Sequence, residues 1–358
     1  MLMAIGKRAR RWATRGETWT NVYGLGRSLL ATATALTLAL NESAVLFRPL
    51  AGALSDPPYC GEALPQAGIF CLLSPHLDLA RWIAVGLLVV VASGWRPRFT
   101  GVVHWWIASA LQTSASTVDG GDQCAAVLTL VLIPITLTDD RRWHWHARAP
   151  STLRGWEEVK RLIAANCAAL MRLQIAGIYY HAAVGKVHVT EWADGTAVYY
   201  WLTHPLFGVN SILAPFIRPL LLNPLTVSMM TWGVIVVELF LMMGLVATRA
   251  VRKVLLVFGI LLHVSIMILQ GLGTFSLTMF GALVLYLWPL DEPLPLTKLS
   301  ATVSAWVPWR RAILSPDPVG SRVFGLFGKG NANPATHLRD ASTIASTTSG
   351  ASGTAGST

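Results

Sequence analysis

Lys186 closes the stretch Tyr179-Tyr180-His181-Ala182-Ala183-Val184-Gly185-Lys186, and Val187-His188-Val189-Thr190-Glu191-Trp192 follows it. A lysine amine is a base once its proton has left, and partial removal from water favours the neutral form. On a continuing helix His181 and Lys186 stand five residues apart, about 140° around the axis, and can face one cavity. His188 and Glu191 follow at i+2 and i+5. This pattern suits proton transfer, with Lys186 as candidate base and His181 and His188 assisting. A plainer reading is that Lys186 marks the outer end of a membrane helix. Residue chemistry leaves both open.

A second constellation is Ser114-Ala115-Ser116-Thr117-Val118-Asp119-Gly120-Gly121-Asp122-Gln123. Two carboxylates three residues apart flank paired glycines, which permit a tight, positive-φ turn. Asp119, Asp122 and Gln123, with Glu191 and Trp192, are candidates for binding or orienting a substrate. An ordinary polar hairpin is the alternative. Two carboxylates and an amide are too few ligands to expect a metal. His181 and His188 lie two helical turns apart, a spacing too common to suggest one. Gly-x-Ser-x-Gly, His-Glu-x-x-His, Walker, Gly-x-Gly-x-x-Gly and Cys-x-x-Cys-His motifs are all absent, which excludes the common hydrolase, ATPase, dinucleotide and haem classes.

The elements that hold these residues are membrane helices. Only 13% of the 358 residues are charged and 53% are hydrophobic, against about 25% charged in a soluble chain. Crossing ~30 Å of hydrocarbon takes about 20 apolar residues. Eight runs qualify, at roughly 22–40, 80–95, 102–118, 124–138, 164–184, 225–248, 254–270 and 274–290. The expected fold is therefore all-α, an integral membrane protein of about eight transmembrane helices. The first run follows a long basic arm and precedes many others, so it reads as a retained helix rather than a cleaved signal peptide.

Charge gives the orientation. Most of the 28 Lys and Arg residues fall in the N-terminal arm, the loops after the second, fourth and sixth runs, and the C-terminal region; the opposite loops hold Arg48, Lys186 and Arg218. Positive charge gathers on the cytoplasmic side, so both termini are expected there. The net charge of +10 is then a topology signal, and no nucleic-acid partner is expected. The expected divisions are a basic arm (1–21), the membrane domain (22–290), a juxtamembrane segment (291–330), whose stretch Ala301–Leu314 suits the membrane surface, and a disordered Ser/Thr/Ala/Gly tail (331–358). The outward loop at about 41–79 carries Cys60 and Cys71. An oxidising compartment lets a disulfide persist there, worth roughly 2–3 kcal/mol.

Within the runs, ionisable residues are costly and point to function. Glu238 and His263 sit mid-run, where they can pair with each other or with Arg172, or help form a polar cavity. Arg27 and Arg172 lie near cytoplasmic ends, where long side chains snorkel. His104 opens the third run beside Trp105 and Trp106.

Several runs resemble the sporulation-delaying protein B family, membrane proteins of bacterial antimicrobial-peptide systems. They are Asn21-Val22-Tyr23-Gly24-Leu25-Gly26-Arg27-Ser28, Ser93-Gly94-Trp95-Arg96-Pro97-Arg98, His104-Trp105-Trp106, Val118 to Gln123, Arg142-Trp143-His144-Trp145 and Glu191 to Trp201. The resemblance covers roughly residues 20–290. That family is similar in turn to the membrane (HTTM) domain of vitamin K-dependent γ-carboxylases. Their pattern Tyr-Phe-x-Ala-Gly-Val-Lys-Lys, followed by Asp-Trp and Glu-Gly, matches Tyr179 to Lys186, then Glu191-Trp192 and Asp194-Gly195. Lys186 falls on the second lysine, which in carboxylases is the base towards vitamin K hydroquinone. The first lysine is Gly185 here, one residue is inserted before Trp192, and Gly-Gly-Asp122-Gln123 replaces an Asn-His turn. The large lumenal peptide-binding domain is missing.

The resemblance implies a multi-pass protein of the cell membrane that matures an exported antimicrobial-peptide precursor together with a small partner protein. A quinol cofactor is implied by carboxylase analogy alone. The alternatives are an export or immunity component with no chemistry, working through a polar cavity around Glu238 and His263, and a structural scaffold for the partner.

Overall fold

The computed structural model describes residues 6, 8, 10–11, 16–52, 56–61, 65–149 and 155–294. Among these the chain is helical, with one isolated bridge between Trp95 and Trp143. The helices are α1 (Asn21–Leu40), α2 (Ser43–Leu46), α3 (Ile69–Leu72), α4 (Leu77–Ser93), α5 (Pro97–Ser114), α6 (Gly120–Leu137), α7 (Trp156–Val187), α8 (Thr190–Ala193), α9 (Ala197–Thr203), α10 (Ala214–Leu221), α11 (Pro224–Met243), α12 (Arg249–Gln270) and α13 (Gly273–Leu287). The juxtamembrane stretch and tail, from 295 onward, lie outside the described residues, as does most of the basic arm.

Each apolar run overlaps one long helix. Four of these helices, α6, α7, α11 and α12, are by themselves long and apolar enough to cross a membrane. Of the others, α4 and α13 are shorter, at 17 and 15 residues, and α1 and α13 pack on each other. Gly26 faces Leu285, and Gly281 meets the Gly26 carbonyl and Leu30. A helix surrounded by protein can carry polar residues that lipid would reject. Accordingly Arg27, Thr34, Thr37, Ser276 and Thr278 are all buried there. Thr20 Oγ1 donates to the Leu290 carbonyl and Asn21 Nδ2 to that of Leu294, tying the start of α1 to the chain beyond α13.

Three of the motifs noted above meet at one node. The Arg96 amide donates to the Arg142 carbonyl and the His144 amide to that of Gly94. The Trp145 indole donates to the Ser93 carbonyl. Gly94 has φ +87, and a side chain there would run into the His144 ring, so glycine is required twice over. Arg27 donates to His144 Nδ1 at 3.1 Å and to Thr100 Oγ1 at 3.2 Å. Since Nδ1 accepts, the neutral ring carries its proton on Nε2, which donates to Ser28 Oγ at 3.2 Å. The Ser28 hydroxyl in turn donates a hydrogen bond to the Ala92 carbonyl. Burial, then the Arg27 and Arg141 charges, lower the His144 pKa to about 2. Beside the node, Asp139 and Arg141 form a buried pair at 2.8 Å, and Arg141 also donates to the His144 and His146 carbonyls.

Cys60 and Cys71 are joined by a disulfide. Tyr59 N donating to the Ser114 carbonyl and Trp106 Nε1 to that of Ala67 fasten this loop to α5. Cys124 and Cys167 are free thiols, both half-buried.

Candidate functional site

α7 runs 32 residues, beyond what a bilayer needs. Its first turns, with Glu157, Lys160 and Arg161, form ion pairs with Arg148, Asp140 and Glu17. The apolar remainder ends at Lys186. Tyr179, Ala182 and Lys186 stand at i, i+3 and i+7, so they share one face. That face borders a cavity of about 770 Å³ walled by residues of α6, α7, α8, α9, α11, α12 and α13.

Lys186 Nζ donates to both Glu238 carboxylate oxygens, at 2.7 and 2.9 Å, and to the Ala182 carbonyl at 3.3 Å. The Trp192 ring lies 5.2 Å from the ammonium, within cation–π range. Glu238 is 14 residues, about 21 Å, along α11 from Pro224. Lys186 is the last residue but one of α7, and its side chain reaches across to the largely buried Glu238 carboxylate.

A second polar pair lines the same chamber. Tyr179 OH and His263 Nε2 are 3.0 Å apart. The His263 ring stands edge-on to Phe275, and its Nδ1 is buried without a partner. Glu238 thus meets Lys186, and neither His263 nor Arg172 is its partner. Arg172 instead reaches the Tyr286 carbonyl. Val127, Ile178, Trp201, Leu262, Phe275 and Met279 supply apolar wall.

The other expected residues divide. His181, Gln123 and Trp192 line the cavity; His188 and Glu191 do not. Both are exposed, and His188 caps the end of α7. Tyr179 is a functional candidate that residue type alone does not single out, although its seven-residue offset from Lys186 is a usable signal. Gln174 and Gln270, two further polar liners, carried no such signal.

Asp119 and Asp122 are a capping box. Asp119 Oδ1 accepts from the Gly121 and Asp122 amides at 2.7 and 3.0 Å, and Asp122 Oδ2 accepts from the Asp119 amide. Orphan amides at a helix start are satisfied this way. The expected positive-φ turn is absent, since neither Gly120 nor Gly121 has positive φ. Gly121 is needed for close approach, because a Cβ there would lie 2.9 Å from the Phe275 Cα. Asp119→Ala should cost about 1 kcal/mol of stability, while Asp119→Ser, which keeps the cap, should stay near wild type in thermal unfolding; an equal loss in both variants would exclude the cap as the source.

Among the described residues no three His, Cys, Asp or Glu side chains are grouped to hold a metal ion.

An HTTM domain model matches residues 151–289, which contain Lys186, Glu238, Tyr179 and His263. The chain is 38% identical over 300 residues to YitO of Bacillus subtilis (strain 168), covering 83% of this chain and 94% of that protein. It is 35% identical over 278 residues to sporulation-delaying protein SdpB of the same organism, covering 76% of this chain and 83% of SdpB. No solved structure matches. With alignments of that length and identity, the chain belongs to the SdpB family of HTTM-domain membrane proteins.

Proposed function

We propose that this protein is a membrane-embedded maturation factor for an exported peptide toxin, with Lys186 as the base of its site. All eight long helices cross the membrane in this reading, both termini lie with the basic loops in the cytoplasm, and the cavity opens towards the outer face. The peptide is then met after export, together with a small partner protein.

The observation that carries the reading is the Lys186–Glu238 pair on the wall of a largely apolar cavity. Burying an ion pair rarely adds stability over apolar packing, and intramembrane charge is retained for use. The amine becomes a base when its proton passes from Nζ to Glu238 Oε1. That exchange leaves two neutral groups, which a poorly polar chamber favours. The amine next accepts a proton from the substrate, and His181 assists. The Tyr179–His263 pair donates a hydrogen bond to the negative charge that develops. Gln123 and Trp192 orient the peptide, with His188 and Glu191 at the mouth.

The lining also suits the quinol of the carboxylase analogy. Trp192, Trp201 and Phe275 would help hold it, and the bound group would supply reducing equivalents.

One observation favours a second reading. Lys186 holds both Glu238 oxygens, as a fixed counter-charge would in an export or immunity component without chemistry.

Intact-mass spectrometry of the peptide inside and outside cells separates the two. With Lys186→Ala protein at equal membrane level, accumulation of a defined precursor mass outside is expected. Mature mass at the normal level would remove the catalytic assignment, and mature peptide trapped inside would support export.

A further inference from the structure

A second pocket, of about 250 Å³, lies beside α7 well away from Lys186 and is bordered by residues 16–18, the start of α12 and residues 288–291. Three guanidinium groups line it, those of Arg172, Arg249 and Arg252. Asp291 pairs with Arg249 at 2.7 Å and Glu17 Oε2 with Arg161 at 2.8 Å, while Glu17 Oε1 is buried with no hydrogen-bond partner among the described residues. Among the described residues Arg172 and Arg252 meet only carbonyls, through their Nε atoms, at Tyr286 and Ala247, and Arg172 Nη2 is buried with no acceptor. A buried donor left unsatisfied marks a missing partner, and two unneutralised guanidiniums specify an anion. The pocket also borders the positive dipole end of α12, a 22-residue helix.

We infer that this pocket binds a phosphate-bearing anion, held by Arg172 and Arg252. Guanidinium groups match phosphate geometry through paired N–H bonds. The phosphate of an anionic phospholipid headgroup is the form that fits best. Arg172 belongs to an apolar membrane helix, the Trp288 ring borders the site, and tryptophan settles at headgroup level. Basic pockets between membrane helices take such headgroups. The site is independent of Lys186 chemistry.

The test uses the full chain in detergent, with native mass spectrometry counting retained phosphatidylglycerol against phosphatidylcholine. Thermal unfolding with added glycerol 1-phosphate forms the second arm. Wild type is expected to retain phosphatidylglycerol selectively. The Arg172→Gln/Arg252→Gln variant should bind it at least about tenfold more weakly, the scale of one charge-assisted hydrogen bond. Arg218→Gln, outside the pocket, should behave as wild type. Arg172→Lys keeps a charge and guards against misfolding, so its monodisperse protein should lie between the two. Stabilisation by glycerol 1-phosphate in wild type but not in the double variant, without lipid selectivity, would assign the pocket to a soluble phosphate compound. Equal lipid retention by wild type and double variant, or no response to either probe, would overturn the inference.

Discussion

Glu238→Leu should lose both stability and peptide processing, whereas Lys186→Met/Glu238→Leu should recover the stability alone. The side chains of Lys186 and Glu238 are 22% and 10% exposed, so removing either strands a charge largely cut off from water. For a buried pair that costs roughly 3–5 kcal/mol. Replacing both by apolar groups of similar size is often neutral or stabilising. A double-mutant cycle by thermal unfolding in detergent should therefore show strong coupling. Processing, followed by peptide mass, should be absent in all three variants if the pair performs chemistry. A stable double variant that still yields mature peptide would show that neither residue is needed, and would leave the pair a purely structural legacy.

His144→Ala should be the most damaging change at the node that joins α1, α4 and the loop after α6. It strips Arg27 of an acceptor and empties the space that Gly24 and Gly94 leave for the ring. Stranding a buried charged donor and opening a cavity together should cost roughly 3 kcal/mol or more. The wild-type ring also has a pH signature. Its folded pKa lies near 2, below the ordinary value of about 6.5 that applies when unfolded. Between these values the unfolded chain binds more protons, so stability is complete above about pH 6.5 and falls as the pH drops. The slope approaches 1.4 kcal/mol per pH unit. Unfolding midpoints from pH 8 to 5 should show this decline in wild type and a shallower one in His144→Asn. Parallel curves for the two proteins would exclude His144 as the source.

Helix positions were legible because a bilayer demands long apolar runs, and each of the eight runs overlaps a helix. Boundaries were less so. α7 begins at Trp156, several residues before its apolar part, because Glu157, Lys160 and Arg161 extend it through ion pairs rather than hydropathy. At the site, the chemistry of Lys186 and Glu238 was readable one residue at a time, but their pairing was not. They are 52 positions apart, and no local periodicity encodes which helices become neighbours. Asp119 and Asp122 show a local signal instead, since their spacing is that of a capping box and the structure forms one. The motif Arg142-Trp143-His144-Trp145 carried no chemistry of its own, and its purpose emerged only with Gly94 and Arg27 beside it.

The seam between α1 and α13 bears on how the protein is made. The first long helix leaves the ribosome early, yet one of its main packing partners is the last one. The acceptors of Arg27, His144 and Thr100, are made before α13, but the α1 face at Gly26 and Leu30 stays uncovered until Gly281 and Leu285 have been synthesised. Chains that terminate before α13 would thus expose that face of their first helix, a ready target for membrane quality-control proteases, even though every residue of the α4 to α6 bundle is present.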